Sequence, residues 1–328
     1  MTMLEVSDLK VTYRQGDRAV PAVRGVSFTL DGGQTLGIAG ESGSGKSTVA
    51  LSLLRLLGGT AEVSGQVRFG GEDLLTAKWS RVRAVRWAEA SVVFQGAMSA
   101  LNPVRTIADQ ICEPILLHDR CGAKAARKRA AELLDGVGIP ARRLSGYPHE
   151  FSGGQRQRIM IAMALACRPE LIIADEPTTA LDVMVQAQIL NLLTGLVRDA
   201  GIGVIMISHD LSVLAQTCER LAVMYAGQIV EIGPSQQLID EPKHPYTRAL
   251  ARAFPTIGDP ASRLAPSGLP GDPPSAADLG AGCAFAPRCV QASDECRTHS
   301  IELWPSAPDR ESACIRVLPG FAEQGDSR

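Results

Sequence analysis

The sequence has no long apolar run. Stretches such as RIMIAMALAC (158–167) and VIMIS (204–208) are soon interrupted, and nothing approaches the roughly 18 to 20 apolar residues that span a bilayer. The first residues, MTMLEVSDLKVTYRQG, lack a basic start followed by an apolar block, so a secretory leader is not expected. The chain is therefore expected to stay in the cytoplasm and to meet a membrane only through a partner. Charge of one sign is lacking too: 33 Lys and Arg against 35 Asp and Glu leave a net charge of −2. That balance gives no general attraction to nucleic acid or to an anionic membrane surface. The basic run ARKRA (126–130) lies in an amphipathic helical stretch and reads as a solvated face. No internal repeat or low-complexity tract is present, so neither a repeat architecture nor a biased-composition tail is expected.

What is there is an ordinary globular composition, 45% hydrophobic over 328 residues, enough for one large domain or two modest ones. Residues 4–13 and 22–30 alternate apolar and polar side chains around RQGDRAVP, the pattern of two half-buried strands and a loop. QTLGIAG (34–40) predicts a short strand that runs into ESGSGKST, and the helical spacing from Ser47 should stop at Gly58–Gly59. Helix formers dominate residues 96–165. Strand and helix signals then alternate through LIIAD, residues 182–199, GVIMIS, residues 211–219 and the hairpin candidate RLAVMYAGQIVEIG. That alternation predicts an α/β layer with a largely parallel sheet into which the helical stretch is inserted. After HPYTRALARAF, six prolines between Pro255 and Pro274 predict an irregular arm.

GESGSGKS, Gly40 to Ser47, fits the phosphate-loop pattern G-x-x-x-x-G-K-[ST] in its required strand-loop-helix setting. Its glycines allow backbone N–H groups to turn toward phosphate oxygens at a helix start. Lys46 would reach the β- and γ-phosphates and Ser47 would hold Mg²⁺. LIIADE (171–176) ends an apolar strand in two carboxylates: Asp175 to orient Mg²⁺ and Glu176 to polarise an attacking water. Without a phosphate loop upstream, such a pair would be an ordinary solvated strand end. FSGGQRQR (151–158) supplies a second glycine turn before a second helix, with Ser152 as a cap hydroxyl and Gly153 and Gly154 exposing amides to an anion. As a bare pattern it is also a common helix cap.

Together these motifs resemble the ATP-binding cassette (ABC) nucleotide-binding subunits, in the family's order and over nearly the whole chain. The resemblance implies a phosphate-loop α/β fold with an antiparallel β subdomain, an inserted helical subdomain and a C-terminal cysteine-bearing arm. The expected boundaries are 1–95 and 166–235 for the ATPase core, 96–165 for the helical signature part and 236–328 for the extension. In such proteins the SGGQ signature of one subunit, here Ser152, Gly153, Gly154 and Gln155, closes on nucleotide held by the phosphate loop of another. The nucleotide-contacting positions implied are Tyr13 for adenine stacking, Gly40, Ser42, Gly43, Ser44, Gly45, Lys46, Ser47 and Thr48 for the phosphates, and Asp182 in TTALD. Catalysis is implied for Glu176, for His209 in MISHD and for Gln95 in VVFQ, with Ser47, Gln95 and Asp175 around Mg²⁺. Phe151 replaces the leucine commoner before the signature, an apolar swap expected to be tolerated.

SALNP, YPHEFSGG, IADEPTTALDV, VMYAGQIVE and HPYTRAL are similar to the oligopeptide, dipeptide and nickel importer branch. The resemblance implies an ATPase that drives import of dipeptides or oligopeptides, or of nickel or another small solute. It implies two transmembrane permease subunits, a second ABC ATPase subunit, an extracytoplasmic solute-binding protein and a peripheral position on the cytoplasmic face of the cell membrane. Two other classes stay open. A soluble cassette acting in DNA repair or translation would carry long coiled-coil insertions or two cassettes per chain, and a silent cassette would be damaged at Glu176, His209 or the signature. In the same branch four cysteines of the arm are associated with a [4Fe–4S] cluster, which implies that Cys283, Cys289, Cys296 and Cys314 hold one. Four thiolates suit such a cluster. Zinc sites use shorter spacings, and incidental reduced thiols are the remaining reading. The arm lies far in sequence from every nucleotide motif, which favours a staple or an oxygen sensor over a part in hydrolysis.

Overall fold

Alternating side chains at the start of the chain produce two long strands, β1 (Thr2–Gln15) and β2 (Arg18–Asp31). They run further than the alternation alone suggests because Gly16, at φ 60°, makes the reversal where a longer loop was expected. The computed structural model describes residues 2–16, 18–94, 100–119, 121–178, 181–253, 269, 271–299 and 302–319. The elements that follow are β3 (Thr35–Ala39), α1 (Lys46–Leu53), β4 (Ala61–Phe69), β5 (Glu72–Asp73), α2 (Trp79–Val85) and β6 (Ala90–Val93). Helices α3 (Ile107–His118), α4 (Ala123–Gly136) and α5 (Gly153–Ala164) come next. The α/β alternation resumes with β7 (Leu171–Asp175), α6 (Val183–Ala200), β8 (Gly203–Ser208) and α7 (Leu211–Thr217). Strands β9 (Arg220–Tyr225) and β10 (Gln228–Pro234), helices α8 (Ser235–Asp240), α9 (Pro245–Ala253) and α10 (Asp294–Thr298), and strands β11 (Trp304–Ala307) and β12 (Arg310–Ser312) complete the chain.

Two compact units are built from these elements. One comprises Met1–Met3, Leu30–Thr35 and Thr76–Ile207; the other comprises Leu4–Thr29, Leu36–Leu75 and Ser208–Arg328. In the first unit β6, β7 and β8 pair in parallel. Strands β7 and β8 are buried along their whole length, which is why they read as unbroken apolar runs rather than as alternation. The helical part packs through Ile107, Ile111 and Ile115 of α3, Ala126, Ala130 and Leu134 of α4, and Ile159 and Ile161 of α5, all buried. On α4 the basic run faces water: Arg127 and Lys128 are exposed, as its amphipathic spacing required. Gln110, buried on α3, accepts from the Asn102 N–H at 2.8 Å and donates to the Asn102 and Arg105 carbonyls, tying down the loop that carries the LNP segment.

In the second unit the antiparallel sheet has the order β2-β1-β4-β5, and β3 pairs in parallel with β9. Strands β9 and β10 form the expected hairpin, turned by Ala226 and Gly227 at φ 47° and 82°, the left-handed pair that a two-residue turn between twisted strands requires. Beyond the proline-rich stretch the chain contributes β11 and β12, and β12 pairs with β10. What seats it is an ion pair invisible to sequence periodicity. Glu231 of β10 and Arg310 of β12, with side chains 0% and 2% exposed, meet at 2.6 Å. Among the described residues no helix is long and apolar enough to cross a membrane. Residues 254–268 and 270, with four of the six prolines, lie outside the described residues.

Candidate functional site

In the second unit, fully buried β3 delivers the chain to Gly40 and the loop turns back into α1. Two glycines make this path possible. A Cβ on Gly40, at φ 151°, would lie 2.3 Å from the Met224 carbonyl oxygen, and one on Gly45, at φ 99°, would lie 2.4 Å from that of Ala22. Gly45 is the N-cap of α1, so the first amides of the helix, from Lys46 onward, begin without intrahelical acceptors. The Lys46 ammonium is buried and turned back on the loop, donating to the carbonyls of Gly40 at 2.7 Å and Glu41 at 2.8 Å and more weakly to Ser44 Oγ at 3.4 Å. Ser42 and Gly43 are exposed at the tip of the loop, whereas Ser47 and Thr48 are half-buried. Tyr13 of β1 stands at this loop, its hydroxyl 3.3 Å from Thr48 Oγ1. His209 is exposed beyond β8, next to Asp210, whose carboxylate caps α7 by accepting from the Ser212 and Val213 N–H groups.

Sequence reasoning missed the groups that hold the loop from behind. The Glu41 N–H donates to the Tyr246 hydroxyl at 2.9 Å, and the Glu41 carboxylate receives both arms of the Arg288 guanidinium, at 2.7 and 3.0 Å. Arg288 also donates to the Tyr225 hydroxyl at 3.3 Å. The rings of Tyr225, Tyr246 and Phe285 pack at centroid distances of 4.6 to 5.3 Å and bury the pair's surroundings. Glu41 holds the Arg288 pKa above its ordinary value, and burial raises that of Tyr246. HPYTRAL, which carries Tyr246, and Arg288, which precedes Cys289, both stand in the sequence, but nothing in it said that they meet Glu41. Separation along the chain is therefore no guide to separation in space: Arg288 and Glu41 are 247 residues apart and hydrogen-bonded, which removes the ground for keeping the arm away from the nucleotide motifs.

In the first unit, β7 ends in Asp175, buried, followed by half-buried Glu176. Glu176 has φ 45°, a left-handed backbone that costs a non-glycine residue, and its N–H donates to the Ile207 carbonyl at 3.0 Å. The signature turn is a reciprocal cap: Ser152 Oγ accepts from the Gln155 N–H, and Gln155 Oε1 accepts from the Ser152 N–H. The helix-cap reading is the one observed; capping consumes only the Gln155 amide, and Gly153 and Gly154 occupy the first helical positions. A Cβ on Gly154 would lie 2.6 Å from Val185 Cγ1, so the glycine admits α6, whose first turn is capped by Asp182 through the Val185 N–H. Phe151 is buried beneath the Arg143 guanidinium, 4.3 Å from the ring centroid. Gln95 lies outside the described residues.

Cys283, Cys289, Cys296 and Cys314, none of them in a disulfide, line one small cavity of about 20 Å³ in the second unit. Burial raises the pKa of Cys283 and Cys289 and pushes that of Cys314 up to about 11, favouring the neutral thiols. As donors, four thiols suit an iron–sulfur cluster. Among the described residues, however, no group of three or more His, Cys, Asp or Glu side chains is arranged to hold a metal ion.

Residues 23–179 match the family described as ABC transporter, and residues 230–296 match the oligopeptide/dipeptide transporter C-terminal region. The chain is 51% identical to a putative peptide import ATP-binding protein of Brucella abortus, over 97% of this chain and 96% of that one. It is 48% identical to an oligopeptide transport ATP-binding protein of Mycobacterium tuberculosis over 96% of this chain, but spans only 52% of that relative's length. Its fold matches the dimeric post-hydrolysis state of the ATP-binding cassette MJ0796 bound to ADP and Pi, with TM-score 0.65 and 29% identity over 71% of this chain and 99% of that one.

Proposed function

This chain belongs to the ABC transporter family of ATP-binding cassettes, and on that premise we propose that it hydrolyses ATP to drive uptake of dipeptides or oligopeptides through membrane permeases. The observation that carries the ATPase reading is the loop Gly40–Ser47, in which forced glycine geometry aims the start of α1 at a phosphate and keeps a buried lysine at hand. The narrowing to peptides is supported by the match over residues 230–296 and by what the Brucella relative's name states.

In this mechanism Lys46 leaves the loop carbonyls for the β- and γ-phosphate oxygens, with the loop and α1 amides around them. Tyr13 stacks on the base. Ser47, Asp175 and Gln95 would hold Mg²⁺, a hard cation that oxygen donors suit and that neutralises phosphate charge when bound. Glu176 takes a proton from water as its oxygen attacks the γ-phosphorus, the bond to the ADP oxygen breaks, and His209 contacts the γ-phosphate. ADP and phosphate result. Ser152, Gly153, Gly154, Gln155 and Asp182 act on nucleotide held by a second ATPase subunit, so that binding closes the pair and hydrolysis reopens it. The permeases and a solute-binding protein would be the remaining partners, with this chain peripheral on the cytoplasmic face. The expected division, core segments 1–95 and 166–235, a signature part 96–165 and an extension 236–328, belongs to the same proposal.

The four-thiol pocket is proposed to take a [4Fe–4S] cluster on Cys283, Cys289, Cys296 and Cys314, which would staple the extension. Anaerobic purification followed by iron, sulfide and zinc analysis should give about four irons per chain; zinc alone, or no metal, rejects it.

The function is tested by uptake of labelled dipeptide, with nickel in parallel, in cells lacking this gene and complemented with wild type or Glu176→Gln. Wild type alone should restore dipeptide uptake. Purified Glu176→Gln should bind ATP and lose at least about 10²-fold in turnover, and turnover within about twofold of wild type would remove Glu176 from its role.

A further inference from the structure

Glu41 is held at each of its polar points. Its carbonyl accepts from Lys46 Nζ at 2.8 Å, its N–H donates to the Tyr246 hydroxyl at 2.9 Å and its carboxylate takes both arms of Arg288. Two of these three grips come from the C-terminal extension, and the third belongs to the lysine that the proposed mechanism moves onto the phosphates. The pair is sheltered as well, with the Arg288 side chain 6% exposed and that of Glu41 23% exposed.

A carboxylate in the first variable position of a phosphate loop is an electrostatic liability. Unpaired, it would repel a triphosphate over a few ångströms in a partly desolvated setting, where charges act more strongly than in bulk water. It would also compete for Lys46. The bidentate guanidinium removes both problems, since it neutralises the charge and fixes the direction in which the carboxylate points. We propose that Arg288 is a positioning residue of the nucleotide site, acting through Glu41: it holds the phosphate loop's own carboxylate away from the triphosphate and leaves Lys46 free to bind it. The extension is then a working part of the ATP site and not an appendage.

The inference rests on the ATP-binding reading of the loop, and the experiment separates the two. MgATP affinity is measured on the intact 328-residue chain by titration with a fluorescent ATP analogue and by competition with ATP. KM and kcat are measured alongside for wild type, Arg288→Ala, Arg288→Lys, Glu41→Gln, the double variant Arg288→Ala with Glu41→Gln, and Lys46→Ala. Melting curves confirm that each is folded, and Arg288→Gln replaces the alanine variant if that one is not. Arg288→Ala should raise Kd and KM about tenfold, equivalent to 1.4 kcal/mol, with kcat changed by less than about twofold. Arg288→Lys keeps the charge but not the fork, and should fall between it and wild type. Removing the stranded carboxylate should bring the double variant back to within about threefold of wild type, since the repulsion is then gone. A plain structural staple predicts no such rescue. The proposal is overturned if Arg288→Ala binds MgATP as wild type does, or if the double variant is no better than Arg288→Ala. Wild type that fails to bind MgATP, or Lys46→Ala that binds it unchanged, instead overturns the ATP-binding reading beneath it.

Discussion

Replacing Arg310 by methionine tests how the C-terminal extension is held. The Glu231 carboxylate, with its side chain 0% exposed, accepts from Arg310 Nε at 3.1 Å and Nη2 at 2.6 Å, from the Lys243 N–H at 2.9 Å and from the His244 N–H at 3.0 Å. Methionine fills most of the volume but leaves a fully buried negative charge with two amide donors. Breaking a buried pair in this way costs about 3–5 kcal/mol. For a cooperative unit of this size each kcal/mol moves Tm by roughly 2–4 °C, so calorimetry should show a drop of about 6–20 °C. Adding Glu231→Gln removes the stranded charge and keeps one amide oxygen. That oxygen can serve either the Lys243 or the His244 N–H but not both, because these donate to different carboxylate oxygens, so the double variant should recover part of the loss. An apolar residue at 231 should not, because both amides would lose their acceptor. A Tm within about 1 °C of wild type for Arg310→Met, or no recovery in the double variant, would refute the reasoning.

Three further outcomes follow from the same geometry. Gly45→Ala places a methyl 2.4 Å from the Ala22 carbonyl oxygen at φ 99°, so it should lose MgATP binding by titration and cost at least about 1–3 kcal/mol in a melt; intact binding would count against the loop geometry. His244 is buried with its Nδ1 accepting from the Tyr246 N–H, and burial lowers its pKa from 6.5 to about 3. The unfolded chain therefore binds the extra proton between those two values: the stability is full above pH 6.5 and falls as pH drops toward 3. At pH 5 wild type should have lost about 2 kcal/mol more than His244→Asn, which keeps an acceptor but does not titrate, and identical pH profiles would refute this. Phe151→Ala should cost about 3–5 kcal/mol in denaturant unfolding and Phe151→Leu only about 1, because leucine still fills the site under Arg143.

Much of the site was legible because each motif is local. A phosphate loop needs a strand, glycines with left-handed or otherwise crowded backbone, a lysine and a helix in immediate succession, and all of these are neighbours in Gly40–Ser47. The signature was legible for the same reason, since Ser152 and Gln155 complete their cap within one turn. Buried β7 and β8 announced themselves as unbroken apolar runs, and the Ala226–Gly227 turn as a hairpin. Less legible were the element ends. Helix α1 stops at Leu53, ahead of the glycines expected to end it, with Arg55 at φ 52° taking the left-handed position.

The sequence by itself determined the phosphate loop, the acidic strand end, the capped signature helix and the α/β alternation, because the residues that make each of them are bonded to near neighbours along the chain. Only the tertiary structure decided that the cysteine arm is pinned to the sheet edge by Glu231 and Arg310, that its four thiols share one cavity, and that Arg288 and Tyr246 grip Glu41. The Glu231–Arg310, Glu41–Tyr246 and Glu41–Arg288 contacts join residues 79, 205 and 247 apart. No local propensity encodes them; they exist because burying an aromatic cluster and a pair of charges together requires every partner to be in place at once.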